Sequence, residues 1–328
     1  MDSYLSRASG IALGVAADLA FADPRRLHPV AGFGRAALAL EAALHPGAGR
    51  TGARARGIAF TAVLVGGAAG GAAAVDRLLS GRPVPRAAWT ATTVWACLGG
   101  TSLLRVAARH ADLLEAGDVP GSRDLLPWLC GRDPAALDSG DLARAVVESV
   151  AENTSDAAVA TLFWAAVCGP AGAVAHRAAN TLDAMVGHRS ERYREFGWAS
   201  ARLDDALGWP AARAAGLLTA GLAGVAGGRP RDALRVWRRD AAAHPSPNAG
   251  VVEAACAGAL GVRLGGPTPY PYGTEMRPGL GDGPAPVPAD VRRAVRLMRA
   301  VQLAAAGLAA VAVLPGRRSP TAGAGPGA

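Results

Sequence analysis

Long runs of apolar residues alternate with polar segments along the chain. Residues 57–75 contain no charged side chain, and at a helical rise of about 1.5 Å per residue they can cross a hydrocarbon layer about 30 Å thick. Residues 87–104 before Arg105 form a second apolar run of nearly that length. These two runs predict membrane-spanning helices, and the apolar run at the N-terminus predicts a retained first membrane segment.

Three further apolar segments are weaker. Residues 157–175 are interrupted by Gly169 and Pro170, whereas residues 214–228 and 300–314 are short for a complete crossing. Each of the three could span the membrane, dip into it and return, or form a buried helix.

The distribution of arginine helps to choose among these arrangements. If all six segments cross, 22 arginines lie on one side and 12 on the other; if residues 157–175 and 214–228 only dip in, the division is 28 against 6. The enrichment of basic residues in cytoplasmic loops favours the second arrangement. We therefore predict an all-α, multi-pass helical membrane protein with four full spans, re-entrant or amphipathic helices and cytoplasmic polar loops. One domain covers residues 1–314, and a disordered tail covers 315–328.

Composition supports this class. Hydrophobic residues make up 51% of the chain and charged residues 18%, with a formal net charge of +8. The arginines are scattered and do not form a basic stripe interleaved with aromatic residues, which argues against nucleic-acid binding. The four cysteines are far apart and form no CxxC pair, so we expect small buried apolar side chains.

The densest polar cluster lies at residues 148–156. On a helix, Glu148, Glu152 and Asp156 recur every four residues, which aligns three carboxylates on one face. Because aligned like charges repel one another, this stripe predicts a divalent cation or a cationic substrate group. Carboxylates together with substrate phosphate are usual ligands of Mg²⁺. The alternative interpretation is a solvated acidic helix face.

A second polar segment covers residues 180–205. Asn180 and Asp183 share a helical face, and Gly187 predicts the end of that helix. Arginine presents a planar fork that suits phosphate or carboxylate. The candidate anion-binding residues are Arg189, Arg192 and Arg202. Ordinary salt bridges within a helix are the alternative explanation for these arginines.

A third polar segment, residues 240–250, is stiffened by Pro245 and Pro247. Asn248 precedes an apolar helix and predicts an N-cap that could receive an anion, although an ordinary turn and cap would have the same sequence. Glu253 follows within an apolar run, where a carboxyl group is costly unless it is paired or functional.

A fourth polar patch, which contains Asp18, Asp23 and His28, ends the first apolar segment. The sequence contains no HExxH motif, no Cys/His set and no GxSxG motif, so neither a zinc–histidine site nor a hydrolase triad is indicated. It also has no GxxxxGK[ST] loop for nucleotide phosphates, and no lysine that could complete one.

Taken together, these segments resemble the cobalamin-biosynthesis family called CobD or CbiB, adenosylcobinamide-phosphate synthase. The matching stretches are ADLAFADPRRLHPVAGFGR, ESVAENTSDAAVATLFW, AANTLDAMVGHRSERYREFGWASARLDD, HPSPNAGVVEAACAGALGVRLGG and GTEMRPGLGDG. They occur in the order of the family and extend over most of the chain.

The resemblance implies a multi-pass inner-membrane enzyme whose active site faces the cytoplasm. It implies that the enzyme joins a carboxylate of (adenosyl)cobyric acid to aminopropanol or aminopropanol phosphate, forming an amide with consumption of ATP. The implied cofactors are ATP, as a substrate, and Mg²⁺. The implied partners are the corrinoid substrate, the lipid bilayer and other membrane enzymes of cobalamin assembly, without nucleic acid.

The resemblance also assigns site residues by motif position. The catalytic candidates are Glu148, Glu152, Asn153, Asp156, Asn180 and Asp183, of which Glu148, Glu152 and Asp156 are also the candidate metal ligands. The substrate-binding candidates are Asp18, Asp23, His28, Thr154, Arg189, Glu191, Arg192, Asp205, Ser246, Asn248 and Glu253. In this hypothesis the acidic stripe binds Mg²⁺ or the amine, and Arg189 and Arg192 bind phosphate or corrin carboxylates.

Two other functions remain open at this stage. Acids within the membrane and broken helices also mark the substrate pathways of transporters. Against a transporter, the polar residues concentrate between the apolar runs and no inverted repeat is visible. The second alternative is a scaffold that holds other cobalamin enzymes at the membrane.

Overall fold

The chain folds as an α-helical membrane protein with one small β-hairpin. The computed structural model describes residues 3–24, 28–45, 52–188, 190–270 and 272–314. The helices are α1 (Ser3–Phe21), α2 (Pro29–Leu44), α3 (Ala53–Leu78), α4 (Pro83–Cys97), α5 (Gly100–Glu115), α6 (Val119–Leu125), α7 (Ser139–Thr154), α8 (Ala160–Val186), α9 (Trp198–Gly221), α10 (Pro230–Asp240), α11 (Ala249–Leu260) and α12 (Pro288–Ala312). The predicted tail at 315–328 lies outside the described residues.

Three helical stretches are long and apolar enough to cross a membrane, within the part of the chain that the structure describes. They are Ala53–Leu78, Ser139–Val186 and Pro288–Ala312. The first and the last contain the apolar runs predicted at 57–75 and 300–314. The middle stretch includes α7 and α8 and carries the acidic motif, so the span and the polar cluster belong to one element.

The second strong run, residues 87–104, is not a single helix, and that prediction was wrong. Helix α4 ends at Cys97, and α5 begins at Gly100 after an extended Leu98. Gly99 and Gly100 favour a break because glycine is a poor helix former. The Asp18 carboxylate then accepts hydrogen bonds from Thr101 N, at 3.1 Å, and Thr101 Oγ1, at 2.6 Å, which satisfies the start of the new helix.

The predicted break at Gly169-Pro170 is confirmed. Gly169 has φ 68° and ψ −156°, outside the helical region, so α8 is kinked there. Between α7 and α8 a single π-helical turn covers Ser155–Val159. Farther on, α9 ends at Gly221 and a 3₁₀ turn follows at Ala223–Ala226. The segment predicted at 214–228 is therefore the end of a helix and a turn.

The β-hairpin was not predicted. Strand β1 (Leu264–Tyr270) pairs antiparallel with β2 (Gly273–Leu280), with an irregularity between Leu264 and Gly266. Both strands contain glycine and proline, which sheet interiors disfavour, so the sequence pattern did not identify them. The hairpin follows α11 directly.

Among the described residues, buried apolar side chains form two clusters. The larger one joins α5, α7, α8, α9, α11 and α12, and the smaller one lies where α2, α3 and α8 meet around Phe60 and Phe196. The expectation of four buried cysteines holds only in part. Cys97 and Cys256 are buried, Cys130 is half-buried and Cys168 is exposed on α8, beside the exposed Val167.

The close contact of α3 with the segment before α9 gives a test of the packing. A Cβ atom at Gly57 would lie 1.9 Å from the Phe196 carbonyl oxygen, whereas nothing described lies within 4 Å of one at Gly66 on the same helix. We expect Gly57→Ala to destabilise the protein by about 1–3 kcal/mol through overpacking. Thermal unfolding in detergent, with Gly66→Ala as the control, measures this difference; equal melting temperatures would contradict the packing.

Candidate active site

Carboxyl groups from five elements converge near the junction of α7 and α8. Glu148 and Glu152 come from α7, Asp156 from the π-helical turn, Asp183 from α8, Asp204 from α9 and Glu253 from α11. They act electrostatically on one another in a connected set. We call these six residues the acidic cluster. An array of this kind inside an apolar helical protein requires compensating charge.

The first compensating charge is Arg132, from the loop before α7. Its guanidinium donates a hydrogen bond to Glu148 Oε2, and both side chains are almost completely buried. The other carboxylate oxygen, Oε1, accepts from Gly265 N at 2.7 Å. Glu148 is therefore fully engaged by protein groups, and the interpretation of a solvated acidic face is wrong for this residue.

Hydrogen bonds hold the β-hairpin next to Glu148. Gly265 has φ 82°, and a Cβ atom there would lie 2.0 Å from the Pro278 carbonyl oxygen, so the position needs glycine. Arg144 on α7 donates to the carbonyl oxygens of Gly265 and, at 2.9 Å, of Pro267. The Asp133 N–H, next to Arg132, donates to the Pro269 carbonyl at 3.0 Å. These contacts fix the hairpin relative to the acidic cluster.

The hairpin brings a second arginine, Arg277, to the cluster. Arg277 Nη2 donates to the Tyr270 hydroxyl at 2.7 Å, and Nη1 lies 3.4 Å from His244 Nε2. Burial lowers the pKa of His244 below its ordinary value, so the ring is neutral at pH 7. Because arginine can only donate, a hydrogen bond from Arg277 uses Nε2 as its acceptor. On the other side of the ring, Nδ1 lies 3.1 Å from both the Ser246 carbonyl oxygen and Ser246 N.

Glu253 faces this arrangement from α11. Its Oε2 lies 3.9 Å from His244 Nε2, and the charges of Arg277 and Arg132 act on it. Glu253 Oε1 and Arg277 Nε are both buried without a hydrogen-bond partner among the described residues. The site thus presents an unpaired acceptor and an unpaired donor close together. The interpretation that a carboxyl group at Glu253 must be paired or functional stays a prediction.

The remaining carboxyl groups form a second part of the cluster. The charges of Asp204, Glu152 and Asp183 all act on Asp156. Asn180 donates a hydrogen bond to Asp204, whose pKa is raised to about 7 by burial first and by Asp183 second. Asp204 Oδ1 is buried and unpartnered in the described structure. Asn180 and Asp183 lie on one face of α8, as predicted, and the helix ends at Val186 before Gly187.

A large cleft lies against the neighbouring face of the same helical segment. It encloses about 1180 Å³ and is lined in part by Asn153, Ala157 and Arg177. Arg177 also acts on Asp156 electrostatically, so the cleft and the acidic cluster share a wall. The cleft is larger than the usual pocket of about 300–1,000 Å³ for a drug-sized molecule. Its other polar lining residues are Asp23, His28, Ser102 and Arg105.

Two predicted residues of the N-terminal patch line this cleft. His28 Nε2 lies 3.7 Å from Asp23 Oδ1, and His28 Nδ1 accepts from Val30 N at 3.2 Å, which caps α2. Asp18 instead caps α5 through Thr101, and its side chain is buried away from the cleft lining. The structure therefore separates a residue that organises the helices from two residues that a ligand can reach.

Other predicted residues have structural partners. Thr154 accepts from Gln302 Nε2 on α12 at 3.3 Å. Arg192 lies in a turn, and its guanidinium pairs with Glu41 on α2 at 2.9 Å. Glu191 is exposed in the same turn. Residues 190–197 are not helical, so a salt bridge within a helix does not explain Arg192. Arg189 lies outside the described residues.

The cap of α11 differs from the prediction. Ser246 Oγ accepts from Asn248 N at 3.3 Å and from Ala249 N at 3.1 Å, so the serine caps the helix. The Asn248 side chain points to α9 instead, where it accepts from Arg213 at 2.9 Å and donates to the Asp205 carbonyl at 2.9 Å. Asn248 thereby holds α9, with Asp204 and Asp205, against α11.

The residues fit a resident metal ion poorly. Among the described residues, no three or more His, Cys, Asp or Glu side chains are arranged to hold one. Within the predicted set of Glu148, Glu152 and Asp156, the two oxygens of Glu148 are occupied by Arg132 and Gly265 N. Within the acidic stripe, Glu148 pairs with Arg132, and the charges of Arg277 and Arg132 act on Glu152.

Sequence reasoning missed Arg132, Arg277 and Asp204. Acidic residues within apolar segments predict that cationic partners exist, because unpaired charges are not tolerated inside proteins. With 34 basic residues in the chain, nothing in the spacing selected Arg132 or Arg277. The stretch GTEMRPGLGDG, one of the motifs that carry the family resemblance, contains Arg277 and was the sequence feature that could have drawn attention to the hairpin.

Comparison with known proteins gives a consistent family. The model of the CobD/Cbib protein family matches residues 11–298. A cobalamin biosynthesis protein CobD of Mycobacterium tuberculosis is 54% identical over 318 residues, which cover 97% of this chain and 99% of the relative. Proteins of the same name from Chromobacterium violaceum and Geobacter metallireducens are 43% and 42% identical, over 91% and 90% of this chain and 95% and 93% of theirs. No solved structure matches the chain.

The buried Arg132–Glu148 pair generates a stability prediction. Removing one partner leaves an uncompensated buried charge, so we expect Arg132→Met to cost about 3–5 kcal/mol. The control is Arg292→Met, which removes an exposed pair with Glu115 and Asp112 and should change the stability little. Thermal unfolding of the purified protein compares them. Addition of Glu148→Gln should restore part of the lost stability, and no restoration would show that the pair is not coupled.

The raised pKa of Asp204, about 7, generates a pH prediction. Between the unfolded value near 4 and pH 7 the folded protein holds a proton that the unfolded chain releases, so this carboxyl group lowers stability as pH rises through that window. We expect Asp204→Asn to flatten the fall in melting temperature between about pH 4 and 7. The exposed Glu195→Gln is the control, and a parallel pH profile for both variants would contradict the assignment.

Proposed function

This chain belongs to the CobD/CbiB family of cobalamin biosynthesis proteins, and from that membership we propose the reaction that it catalyses. A propionate carboxylate of a corrin, that of adenosylcobyric acid, is joined to the amine of aminopropanol or aminopropanol phosphate. The product is adenosylcobinamide or its phosphate, and ATP is consumed. The enzyme is then an acid–amine ligase held in the cell membrane, with its site on the cytoplasmic side.

One observation carries this proposal: one unpaired donor and two unpaired acceptors lie in or next to the acidic cluster, which adjoins a large cleft through Asn153 and Arg177. Arg277 Nε can donate a hydrogen bond to a carboxylate or a phosphate. Glu253 Oε1 and Asp204 Oδ1 can accept hydrogen bonds from an ammonium group. A ligase that joins an acid to an amine needs both kinds of contact at one place. The surrounding burial strengthens each of them, since charges interact more strongly where water is excluded.

The proposed chemistry has two steps. An oxygen of the corrin carboxylate attacks the γ-phosphorus of ATP, which gives an acyl phosphate and ADP. The amine nitrogen then attacks the acyl carbon, the C–O bond to phosphate breaks, and the nitrogen loses a proton. We assign the stabilisation of developing negative charge to Arg277 and Arg132, and the acceptance of the amine proton to Glu152. Asn180 and Asp183 orient the acidic side chains.

ATP enters this scheme as a substrate, together with its own Mg²⁺ ion. The six carboxyl groups of the acidic cluster do not form a set suited to a resident metal, so no step is assigned to one. The 1180 Å³ cleft is the proposed site of the corrinoid, whose amide side chains can bond to Asn153, Ser102 and Arg105. The sequence hypothesis assigned anion binding to Arg192, and we now assign it to Arg277. The reason is that the Arg192 guanidinium pairs with Glu41, whereas Arg277 Nε has no hydrogen-bond partner among the described residues.

The decisive experiment measures amide formation by the purified protein in lipid nanodiscs. The reaction mixture contains adenosylcobyric acid, ATP and either aminopropanol or aminopropanol phosphate, and the corrinoid product is detected by mass spectrometry. We expect Glu152→Gln to lower the rate by a factor of about 10²–10⁴, as is usual when a general base is lost. The exposed Glu195→Gln should keep the full rate. An unchanged rate for Glu152→Gln would remove that residue from the mechanism.

Two results would reverse the choice of function. Uptake of a corrinoid into vesicles without formation of an amide would favour a transporter. Normal assembly of other cobalamin enzymes at the membrane, independent of the acidic cluster and without turnover by this chain, would favour a scaffold. In cells, a strain that lacks this protein should be rescued by cobinamide but not by cobyric acid. That result would support a reaction that converts cobyric acid to cobinamide.

A further inference from the structure

The break between α4 and α5 forms part of the wall of the large cleft. Gly99 lies in that break, and Ser102 and Arg105 follow it on neighbouring positions of one face of α5. A Cβ atom at Gly99 would lie 3.7 Å from Arg177 Nη2 and 3.9 Å from Asp23 Oδ2. The guanidinium of Arg177 and the carboxylate of Asp23 therefore both reach the wall of the cleft at this break.

Two arginines of this wall are unpaired. Arg105 is exposed, and the described residues offer neither Arg105 nor Arg177 a hydrogen-bond acceptor or an ion pair. The carboxyl groups of Asp18 and Asp156 act on them electrostatically, Asp18 on Arg105 and Asp156 on Arg177, without direct contact. Because arginine is always charged and can only donate hydrogen bonds, the wall presents two cationic groups with free donors.

Arg177 is an exception among the arginines that the structure describes. Each of the others that is buried or half-buried donates at least one hydrogen bond within the protein. The Arg177 guanidinium donates none to a described residue, although its Nε is buried. Since a charged group that is taken out of water without compensation is costly, the free donors of Arg177 indicate an acceptor that comes from a ligand.

Ser102 adds a hydroxyl group to the same wall. Its Oγ accepts a hydrogen bond from Asp23 N at 3.2 Å. A hydroxyl group accepts and donates at the same time, so Ser102 can donate to a ligand while it holds Asp23. The backbone at the start of α5 is engaged elsewhere, since Thr101 N donates to Asp18. The donors that this wall offers to a ligand are therefore side chains.

The number of these donors and their charge favour a phosphate group as the ligand. A carboxylate has two oxygens in one plane, and a single guanidinium fork can bind both of them. A phosphate monoester carries about 1.5 to 2 negative charges at pH 7 and three acceptor oxygens. Two arginines from different helices and one hydroxyl group match that ligand. Asp23 is the one acid among the described lining residues, so the two arginines leave the wall positively charged.

We propose that Arg105, Arg177 and Ser102 form a phosphate subsite within the cleft. Two substrates of the proposed reaction carry a phosphate group, aminopropanol phosphate and ATP. The subsite rests on the geometry of the cleft, and only the names of these two sources rest on the proposed function. Ser102 and Arg105 then bind the phosphate, and the corrinoid keeps Asn153 and the apolar lining of the cleft.

Equilibrium dialysis of the full-length protein in nanodiscs tests the subsite without turnover. Radiolabelled aminopropanol phosphate, aminopropanol and ATP are titrated separately, in the absence of a corrinoid. We expect Arg105→Gln and Arg177→Gln each to weaken binding of the phosphate ligand by about tenfold or more, since a hydrogen bond to a charged group is lost. The matched control is Arg109→Gln, which lies one turn farther along α5, is exposed and does not line the cleft. It should bind as the wild type does.

The separate titrations distinguish the two sources of phosphate. A loss of affinity for aminopropanol phosphate, with unchanged binding of aminopropanol and ATP, assigns the subsite to the acceptor substrate. A loss of affinity for ATP alone assigns it to the nucleotide. In either case Asp23→Asn should strengthen binding of the same ligand, because a like charge is removed from the wall.

Three results would overturn the proposal. They are equal affinities of Arg105→Gln and Arg109→Gln for both phosphate ligands, no binding of either ligand by the wild type, and competition of cobyric acid with the bound phosphate ligand. The last would assign the arginines to a corrin carboxylate. Thermal unfolding checks the fold of each variant, and Ser102→Ala provides the test if the arginine variants do not fold. Absence of amide formation by the wild type would refute the proposed function and leave these affinities intact.

Discussion

The burial of carboxyl groups among apolar helices is the constraint around which this protein is organised. Glu148 and Glu253 are each only 1% exposed, and a carboxylate in such a place is stable only with hydrogen bonds and opposite charge. Arg132 provides both for Glu148 from the loop before α7, and Arg277 brings opposite charge towards Glu253 from the β-hairpin. The hairpin, an unusual element in a helical membrane protein, is thus explained by the charge that it carries.

The irregular points of the helices lie around the same cluster. The π-helical turn at Ser155–Val159 carries Asp156, and π-turns within helices are frequent at functional sites. The break between α4 and α5 lies against that turn, since Gly99 N donates to the Ala157 carbonyl at 3.2 Å. Straight helices would pack apolar faces together throughout. The interruptions leave room for the cleft and set Asn153 and Ala157 along its wall.

Part of the acidic cluster lies on a helical stretch that can also cross a membrane. The stretch that carries Glu148, Glu152 and Asp156 is itself one of the three that can cross a membrane, so the reactive groups and the lipid-facing surface belong to one element. Within the proposed ligase, charged substrates reach an interior of low dielectric while their large apolar parts remain in the cleft.

The sequence by itself determined the helical membrane class, the family and the break at Gly169, and it selected Glu148, Glu152, Asp156 and Glu253 as candidates. These features depend on local composition, spacing and motif order, which a chain displays directly. Only the tertiary structure decided that Arg132 pairs with Glu148 and that the charge of Arg277 acts on Glu253, that Asp18 and Ser246 cap helices, and that residues 87–104 are two helices. Partners far apart in sequence meet through the packing of whole elements, and no local pattern encodes which of many arginines reaches a given carboxylate.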